Sequence, residues 1–158
     1  MTRRAVFDCM VFLQGAANSD GPAATCLRLA EKGHVELCIS FEILSEVRDV
    51  LTRPKMRQRF SALTEETVSA FLSRVSRFAL VVSDVPRVAS LPRDPKDEKY
   101  LDLAVAVGAE CLVSRDNDLL DLMDAQRPES QAFLAAFPQI TILGPVSFLR
   151  AFFKQTSG

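Results

Sequence analysis

The feature that most constrains the fold is a regular alternation of short β-type runs with helical patterns. The β-type runs occupy residues 5–9, 35–40, 78–83, 110–114 and 140–143. The helical patterns cover about residues 23–32, 41–51, 64–76, 96–107 and 146–153. Strands that alternate with helices pair in parallel through right-handed crossovers. The sequence therefore predicts an α/β fold in which helices cover both faces of a mostly parallel sheet.

The length of the chain favours one domain, because no linker, internal repeat or low-complexity tract divides residues 1–158. No apolar run approaches the roughly 20 residues that would cross a bilayer. The N-terminus superficially mimics a secretory signal, but Asp8 interrupts the apolar stretch that such a signal requires. Four scattered cysteines without a CxxC pair suit a reducing compartment, so we expect a cytoplasmic protein.

Carboxylates follow two of the predicted strands at the point where each strand ends. Asp8 lies near the end of the first run, in the stretch AVFDCMVFL, and Asp116 comes just after the fourth run. Ligand sites of parallel α/β sheets form outside the carboxyl ends of the strands. An ionised carboxylate is also seldom buried without a partner, so Asp8 calls for a function.

Three further carboxylates lie on helices that flank these strands. Asp97 and Glu98 stand in the first turn of the helix predicted over 96–107, close to its apolar side. Favourable interaction with the helix dipole is an alternative explanation for both. Glu46 lies at the border of the apolar face of the helix that Ser40 caps, where an exposed glutamate would also be ordinary.

Four carboxylates brought together would repel one another and raise one another's pKa values. A hard divalent cation such as Mg²⁺ or Mn²⁺ relieves this repulsion and suits phosphodiester hydrolysis, because it activates water and stabilises charge on the phosphate. Other chemistries lack their residues, since the single histidine, His34, cannot build a His-rich zinc site. No GxSxG, GxGxxG or P-loop motif occurs, and Met10 stands where a DxD phosphotransferase needs an acid.

The order of these motifs resembles the PIN domain family over essentially the whole chain. The motifs are Asp8 after the first strand, SFEILSEVRDVL, RDPKDEKYLDLAVAVGAECLVSRDNDLL and ITILGPVSFL. In particular, the chain is similar to the VapC-like toxin components of bacterial toxin–antitoxin pairs. The resemblance implies a three-layer α/β/α sandwich, Mg²⁺- or Mn²⁺-dependent cleavage of RNA, a protein antitoxin as partner, and a possible homodimer.

The resemblance also assigns roles to particular residues. The implied catalytic and metal-binding set is Asp8, Glu46, Asp97 and Asp116. Glu98 would replace or supplement Asp97, and Asp118 would assist a second metal ion. Ser114, before the last acid, and Ser40, at the end of the second strand, would support the site.

One position departs from the family pattern. The first strand of the family is usually followed by Asp-Thr-Asn or Asp-Ser-Asn, whereas this chain reads Asp8-Cys9-Met10. Methionine is a poor hydrogen-bonding group, so weak activity, altered metal affinity, or a module that binds RNA or protein without cutting are alternatives. A magnesium-dependent phosphatase or DNA nuclease would use the same acids. Because the four main acids are present, we expect a working ribonuclease.

The net charge of −1 conceals a basic stretch at residues 48–59, which holds five basic residues against one acid. Such a stretch is either a solvated face or a guide for a polyanion. The candidate contacts to the RNA backbone are Arg53, Lys55, Arg57, Arg59, Arg93 and Arg115. Binding through the backbone should weaken sharply as salt increases.

Overall fold

A computed structural model describes residues 3–156 of the protein, with side chains described for residues 3–152. Its centre is a five-stranded parallel sheet in the order β3-β2-β1-β4-β5. The strands are β1 (Arg4–Phe7), β2 (Glu36–Ser40), β3 (Leu80–Val82), β4 (Cys111–Val113) and β5 (Thr141–Leu143). Helices lie on both sides of the sheet, which confirms the predicted α/β/α fold. The strand β1 is central, since Val6 pairs with Cys38 on one side and Leu112 on the other.

Helices stand between the successive strands, and five of them correspond to predicted helices. They are α1 (Cys9–Ala17), α2 (Pro22–Glu31), α3 (Phe41–Leu51), α4 (Pro54–Arg59), α5 (Glu65–Phe78), α6 (Glu98–Val107), α7 (Asn117–Leu120), α8 (Pro128–Ala136) and α9 (Pro145–Thr156). Ser40 caps α3 as expected, because its hydroxyl accepts from the Ile43 N–H at 3.1 Å. Gly108 ends α6 in the left-handed conformation, with φ of 65°, which glycine adopts at little cost.

Several local expectations were wrong, and each has a physical reason. The helix α1 was not predicted, because residues 9–13 are apolar throughout and show no amphipathic period. Pro54 was expected only to end the preceding helix, but it also begins α4. Proline is tolerated at the first helical position, because the N–H that it lacks would have no partner within the helix there. The third strand starts at Leu80, because α5 continues to Phe78. The short helices α7 and α8 also went unpredicted.

Most buried residues are apolar, and three of the six buried polar ones among the described residues lie where strands end. Asp8 follows β1, Ser40 ends β2, and Ser114 follows β4. Burial at this edge requires hydrogen bonds or pairing, since an unsatisfied buried polar group is costly. The chain therefore concentrates its buried polar chemistry where the strand-end rule places ligand sites.

Two other sequence expectations concern cysteines and membranes. The four cysteines are unpaired, and Cys26 and Cys38 are buried among apolar side chains. Among residues 3–156, none of the helices combines the length and the apolar character needed to span a bilayer.

Candidate metal centre

Asp8 is a buried carboxylate that is held by three hydrogen bonds. It is the N-cap of α1, where its Oδ1 accepts from the Val11 N–H at 3.0 Å. Its Oδ2 accepts from the Ser114 hydroxyl and, at 3.3 Å, from the Arg115 N–H. Burial nevertheless raises the pKa of Asp8, against the opposing effect of these hydrogen bonds.

Three aspartates converge beside this carboxylate, and we call them the aspartate cluster: Asp94, Asp97 and Asp116. One carboxylate oxygen from each lies within 4.8 Å of the other two. Asp94 begins the 3-10 turn Pro95–Asp97, which leads into α6, and Asp116 caps α7 after β4. The cluster therefore offers three carboxylate oxygens, the ligand type that a hard divalent cation prefers.

Asp97 is the most constrained member of the cluster. It is only 9% exposed, and its Oδ2 has no hydrogen-bond partner within the described part of the chain. Asp97 occupies the N-cap position of α6, one residue before the helix, but its side chain makes no capping hydrogen bond there. Capping therefore does not explain this carboxylate, and the orphaned oxygen leaves room for a cation.

The electrostatics of the cluster are correspondingly unfavourable for an ionised Asp97. Burial, followed by the neighbouring carboxylate of Asp116, raises the pKa of Asp97 to about 9. The charges of Asp94 and Asp8 act in the same direction. Like charges held together in a poorly solvated place favour the neutral form unless a cation compensates them.

Ser114 links Asp8 to the aspartate cluster. Its hydroxyl donates to Asp8 and accepts from the Asp116 N–H at 2.9 Å. Ser114 is fully buried, so both bonds lie away from solvent. A single hydroxyl thus fixes the ends of the neighbouring strands β1 and β4 relative to each other.

Glu46 lies in a different environment, which we call the Glu46 network: Glu46, Lys99 and Tyr100. Its Oε2 is 2.7 Å from the Lys99 ammonium, and its Oε1 accepts from the Tyr100 hydroxyl. The same hydroxyl accepts from the Cys9 N–H at 3.0 Å, next to Asp8 in sequence. Tyr100 is 2% exposed, and burial together with Glu46 raises its pKa, so it stays a donor. Glu46 therefore has a cationic partner inside the protein.

The other acids on α6 hold a loop in place. Glu98 accepts from the Leu91 N–H at 2.9 Å. Asp102 accepts from the Val88 and Ala89 N–H groups, both at 2.8 Å. These bonds fix residues 88–91 against α6, and they engage Glu98 outside the aspartate cluster.

Asp118 and the predicted RNA-binding arginines are largely engaged with other side chains. Arg93 lies 2.6 Å from Asp118 and also contacts Asp121 and Glu129. Arg115 donates to Gln14 at 2.8 Å. Arg53 pairs with Asp49 at 2.9 Å. The remaining candidates lie exposed on α4: Lys55, Arg57 and Arg59.

Sequence reasoning missed three residues that belong to this region. Asp94 was not singled out, although a position before a proline is typical of an N-cap, and its carboxylate accepts from the Lys96 N–H at 3.2 Å. Lys99 and Tyr100 were not singled out. Their contacts with Glu46 span more than fifty positions of the chain, and no local pattern signals them.

The geometry of the site can be compared with known protein families. A family profile described as PIN domain matches residues 4–118 of the chain. The chain belongs to the PIN domain family. A comparison with curated proteins found no match. The matched segment runs from β1 to the start of α7 and therefore contains Asp8, Glu46 and the whole aspartate cluster.

Membership of the PIN domain family gives this site a general chemistry. PIN domains are typically metal-dependent nucleases that act on RNA or other nucleic acid. The residues of this chain fit a divalent cation, because the aspartate cluster supplies three carboxylates and one buried oxygen that lacks a partner.

Proposed function

We propose that this PIN domain is a Mg²⁺- or Mn²⁺-dependent endoribonuclease that hydrolyses phosphodiester bonds of RNA. The observation that carries the proposal is the buried Asp97 carboxylate: its Oδ2 has no hydrogen-bond partner among the described residues, and one oxygen each of Asp94, Asp97 and Asp116 lie within 4.8 Å of one another. Such an arrangement is costly unless Asp97 takes up a proton or a cation enters the cluster.

We assign the metal-holding role to Asp94, Asp97 and Asp116. When bound, the cation would lower the pKa of a water molecule and stabilise charge on the scissile phosphate. Asp8 lies next to this set through Ser114 and adds negative charge to the site. Glu46 and Tyr100 would hold the chain between β1 and α1 in position.

The exposed cations of α4 are the best candidates for contacts with the RNA backbone. Lys55 and Arg57 are exposed, and the Arg59 guanidinium lies 5.2 Å from the centre of the Phe60 ring. An aromatic ring beside a guanidinium is a surface on which an unpaired base can stack. Replacing all three cations by glutamine should weaken RNA binding and reduce its salt dependence.

We further propose that the protein is the toxin of a type II toxin–antitoxin pair, acting in the cytoplasm and bound by an antitoxin protein. The support is the resemblance of the motifs around Asp8, Glu46, Asp97 and Asp116 to such toxins. Induced expression should arrest bacterial growth, and co-expression of an adjacent small open reading frame should restore it. Growth that is unaffected at high soluble expression would contradict the toxin role.

A cleavage assay tests the enzymatic proposal directly. Purified protein is incubated with single-stranded and structured RNA in Mg²⁺, in Mn²⁺ and in EDTA, beside Asp116→Asn. Asp20→Asn is the matched control, because Asp20 is an exposed aspartate beyond the far end of α1. We expect cleavage only with metal, retained in the control and lost in Asp116→Asn. Equal cleavage by both variants would indicate a contaminant and contradict the mechanism.

A second candidate is a PIN domain that binds RNA without cutting it. Two observations favour it: Met10 replaces the family asparagine, and Lys99 already neutralises Glu46. In that case RNA binding would be measurable, whereas no metal would produce cleavage. The same assay therefore separates the two functions.

A further inference from the structure

A cavity of about 590 Å³ lies directly beside the aspartate cluster. The loop at residues 88–94 forms one side, and α8 forms the other. Its interior is mainly apolar, with contributions from Leu91, Leu101, Leu122, Phe133 and Phe137. The volume is within the range of about 300–1,000 Å³ that is usual for ligand pockets.

The cavity and the aspartate cluster share a residue. Asp94 lines the cavity and also contributes an oxygen to the cluster. A molecule that has one group at the cluster can therefore place an adjoining group in the cavity. The loop side is preformed, because Glu98 and Asp102 hold the N–H groups of residues 88, 89 and 91.

The charges at the cavity exclude some occupants and favour others. Arg93 is surrounded by acids, among them Asp118 and Glu129, which also line the cavity. With Asp94 the lining carries one cation and three carboxylates, so a phosphate would be repelled. An uncharged aromatic ring suits the apolar interior, and carboxylate oxygens at its edge accept hydrogen bonds from amino groups.

We infer that this cavity receives a nucleobase of the RNA strand whose phosphate lies at the aspartate cluster. The inference rests on the proposed function, because it takes the RNA strand from there. The base would lie against the apolar side chains, including Phe133 and Phe137. The acidic edge favours a base with an exocyclic amino group, such as adenine or cytosine, over uracil.

The segment that the family match covers supplies only part of the cavity lining. The match ends at residue 118, whereas α8 begins at Pro128. Both phenylalanines that line the cavity come from α8 or the residue directly after it. The aromatic side of the pocket therefore comes from the part of the chain beyond the family match, whereas Asp94 and Asp118 of its acidic edge lie within the match.

A binding experiment tests this inference independently of cleavage. Fluorescence anisotropy in Ca²⁺, with the length of each RNA checked afterwards, measures the affinity of the full chain for intact RNA hexamers of adenosine, cytidine or uridine while a cation is available to the aspartate cluster. An abasic ribose-phosphate hexamer reports the contribution of the backbone alone. The first variant is Ala132→Phe, because Ala132 is exposed on α8 and lines the cavity. Ala136→Phe fills the same cavity from the end of the helix and guards against a folding defect.

The matched control is Ala70→Phe. Ala70 is an exposed alanine on α5, and it lines another cavity, which residues of α1, α2 and α5 form. Thermal unfolding of all variants checks that each is folded before affinities are compared.

We expect wild type and Ala70→Phe to bind the adenosine and cytidine hexamers at least tenfold more tightly than the uridine hexamer. Both cavity-filling variants should lose this preference and bind every hexamer as weakly as the abasic one. Unchanged selectivity in the folded filled variants would overturn the inference and leave an apolar protein segment as the better occupant. Base-selective binding without any cleavage would contradict the proposed nuclease function and support the base pocket. Cleavage by filled variants that keep the base selectivity of the wild type would support the nuclease function and contradict the base pocket.

Discussion

The aspartate cluster and the Glu46 network lie at the same edge of the sheet but differ in how their charge is balanced. In the network, Lys99 lies 2.7 Å from Glu46, and Tyr100 donates a hydrogen bond to it. In the cluster, three carboxylates face one another, and within the described residues none forms an ion pair. One group of acids is internally neutralised, and the other is not.

The difference teaches which of the family's acids needs an external cation. A carboxylate that already has an ammonium partner gains little from a metal ion, because the metal must displace that partner. A buried carboxylate without a partner can only take up a proton or a cation. We therefore expect metal binding to depend strongly on Asp97 and weakly on Glu46.

The largest expected effect is on cleavage. Asp97→Asn should reduce the rate of RNA cleavage by about 100-fold or more, because it removes a charge that would hold the metal ion. Glu46→Gln should reduce the rate by less than tenfold, because the Glu46 carboxylate pairs with the Lys99 ammonium and would not bind the metal ion. Initial rates at saturating Mn²⁺ measure both. Equal losses in the two variants would abolish the distinction between cluster and network.

Metal-linked stability should show the same contrast without any RNA. Mn²⁺ at about 100 times its Kd should stabilise the wild type by about 2.7 kcal/mol, through preferential binding to the folded state. The stabilisation should persist in Glu46→Gln and vanish in Asp116→Asn, as thermal unfolding with and without EDTA would show. If Mn²⁺ no longer stabilised the Glu46→Gln variant, the metal ion would bind at the Glu46 network and not at the aspartate cluster.

In EDTA, the stability of the protein should depend on pH because of Asp97. Its pKa in the folded protein is raised to about 9, whereas the unfolded chain has the ordinary value near 3.8. The folded state therefore binds the extra proton between these values, and stability is lost as pH rises through this window. We expect a decrease of about 2 kcal/mol or more between pH 5 and 9, which Asp97→Asn should largely remove. Chemical denaturation at several pH values measures it, and a pH-independent wild type would be inconsistent with a crowded cluster.

The internal partner of Glu46 can be removed in turn. The Lys99 side chain is 14% exposed, so Lys99→Met should leave a poorly solvated Glu46 charge and cost about 1–2 kcal/mol. The double variant Lys99→Met/Glu46→Gln should recover most of that loss. Urea unfolding of the single and double variants completes the cycle. Additive losses would mean that the two side chains do not interact.

The strand ends of this fold could be predicted from sequence, and with them Asp8 and Asp116. Short apolar runs between helical patterns determine a parallel sheet, and such a sheet places the residues after each strand at one edge. The helix α1 could not be predicted in the same way. Its apolar residues pack against the core, as Val11 and Phe12 do, and lack the polar side that gives a helical period.

The composition of the site was less accessible to sequence reasoning. Asp94 belongs to an acidic segment in which several carboxylates are equally plausible by spacing, and only the folded chain selects among them. Glu98, an apparent alternative to Asp97, turns instead to the Leu91 N–H. The pairing of Glu46 with Lys99 is a long-range contact between α3 and α6, and local periodicity contains no information about it.

The smallest expected effect concerns Met10, the position where the family pattern is broken. Met10 is 42% exposed in the first turn of α1, so it neither fills the core nor closes the site. The backbone donors around it are already engaged, since Asp8 accepts from Val11 and Tyr100 accepts from Cys9. An asparagine at position 10 would therefore find few free backbone donors to bind. Met10→Asn should therefore change the free energy of unfolding by less than about 0.5 kcal/mol and the cleavage rate by less than about threefold.

The same substitution in a Tyr100→Phe background should have a larger effect on both quantities, because the Cys9 N–H then lacks its acceptor. A tenfold gain in cleavage from Met10→Asn alone would show instead that the Glu46 network does not compensate for the missing asparagine.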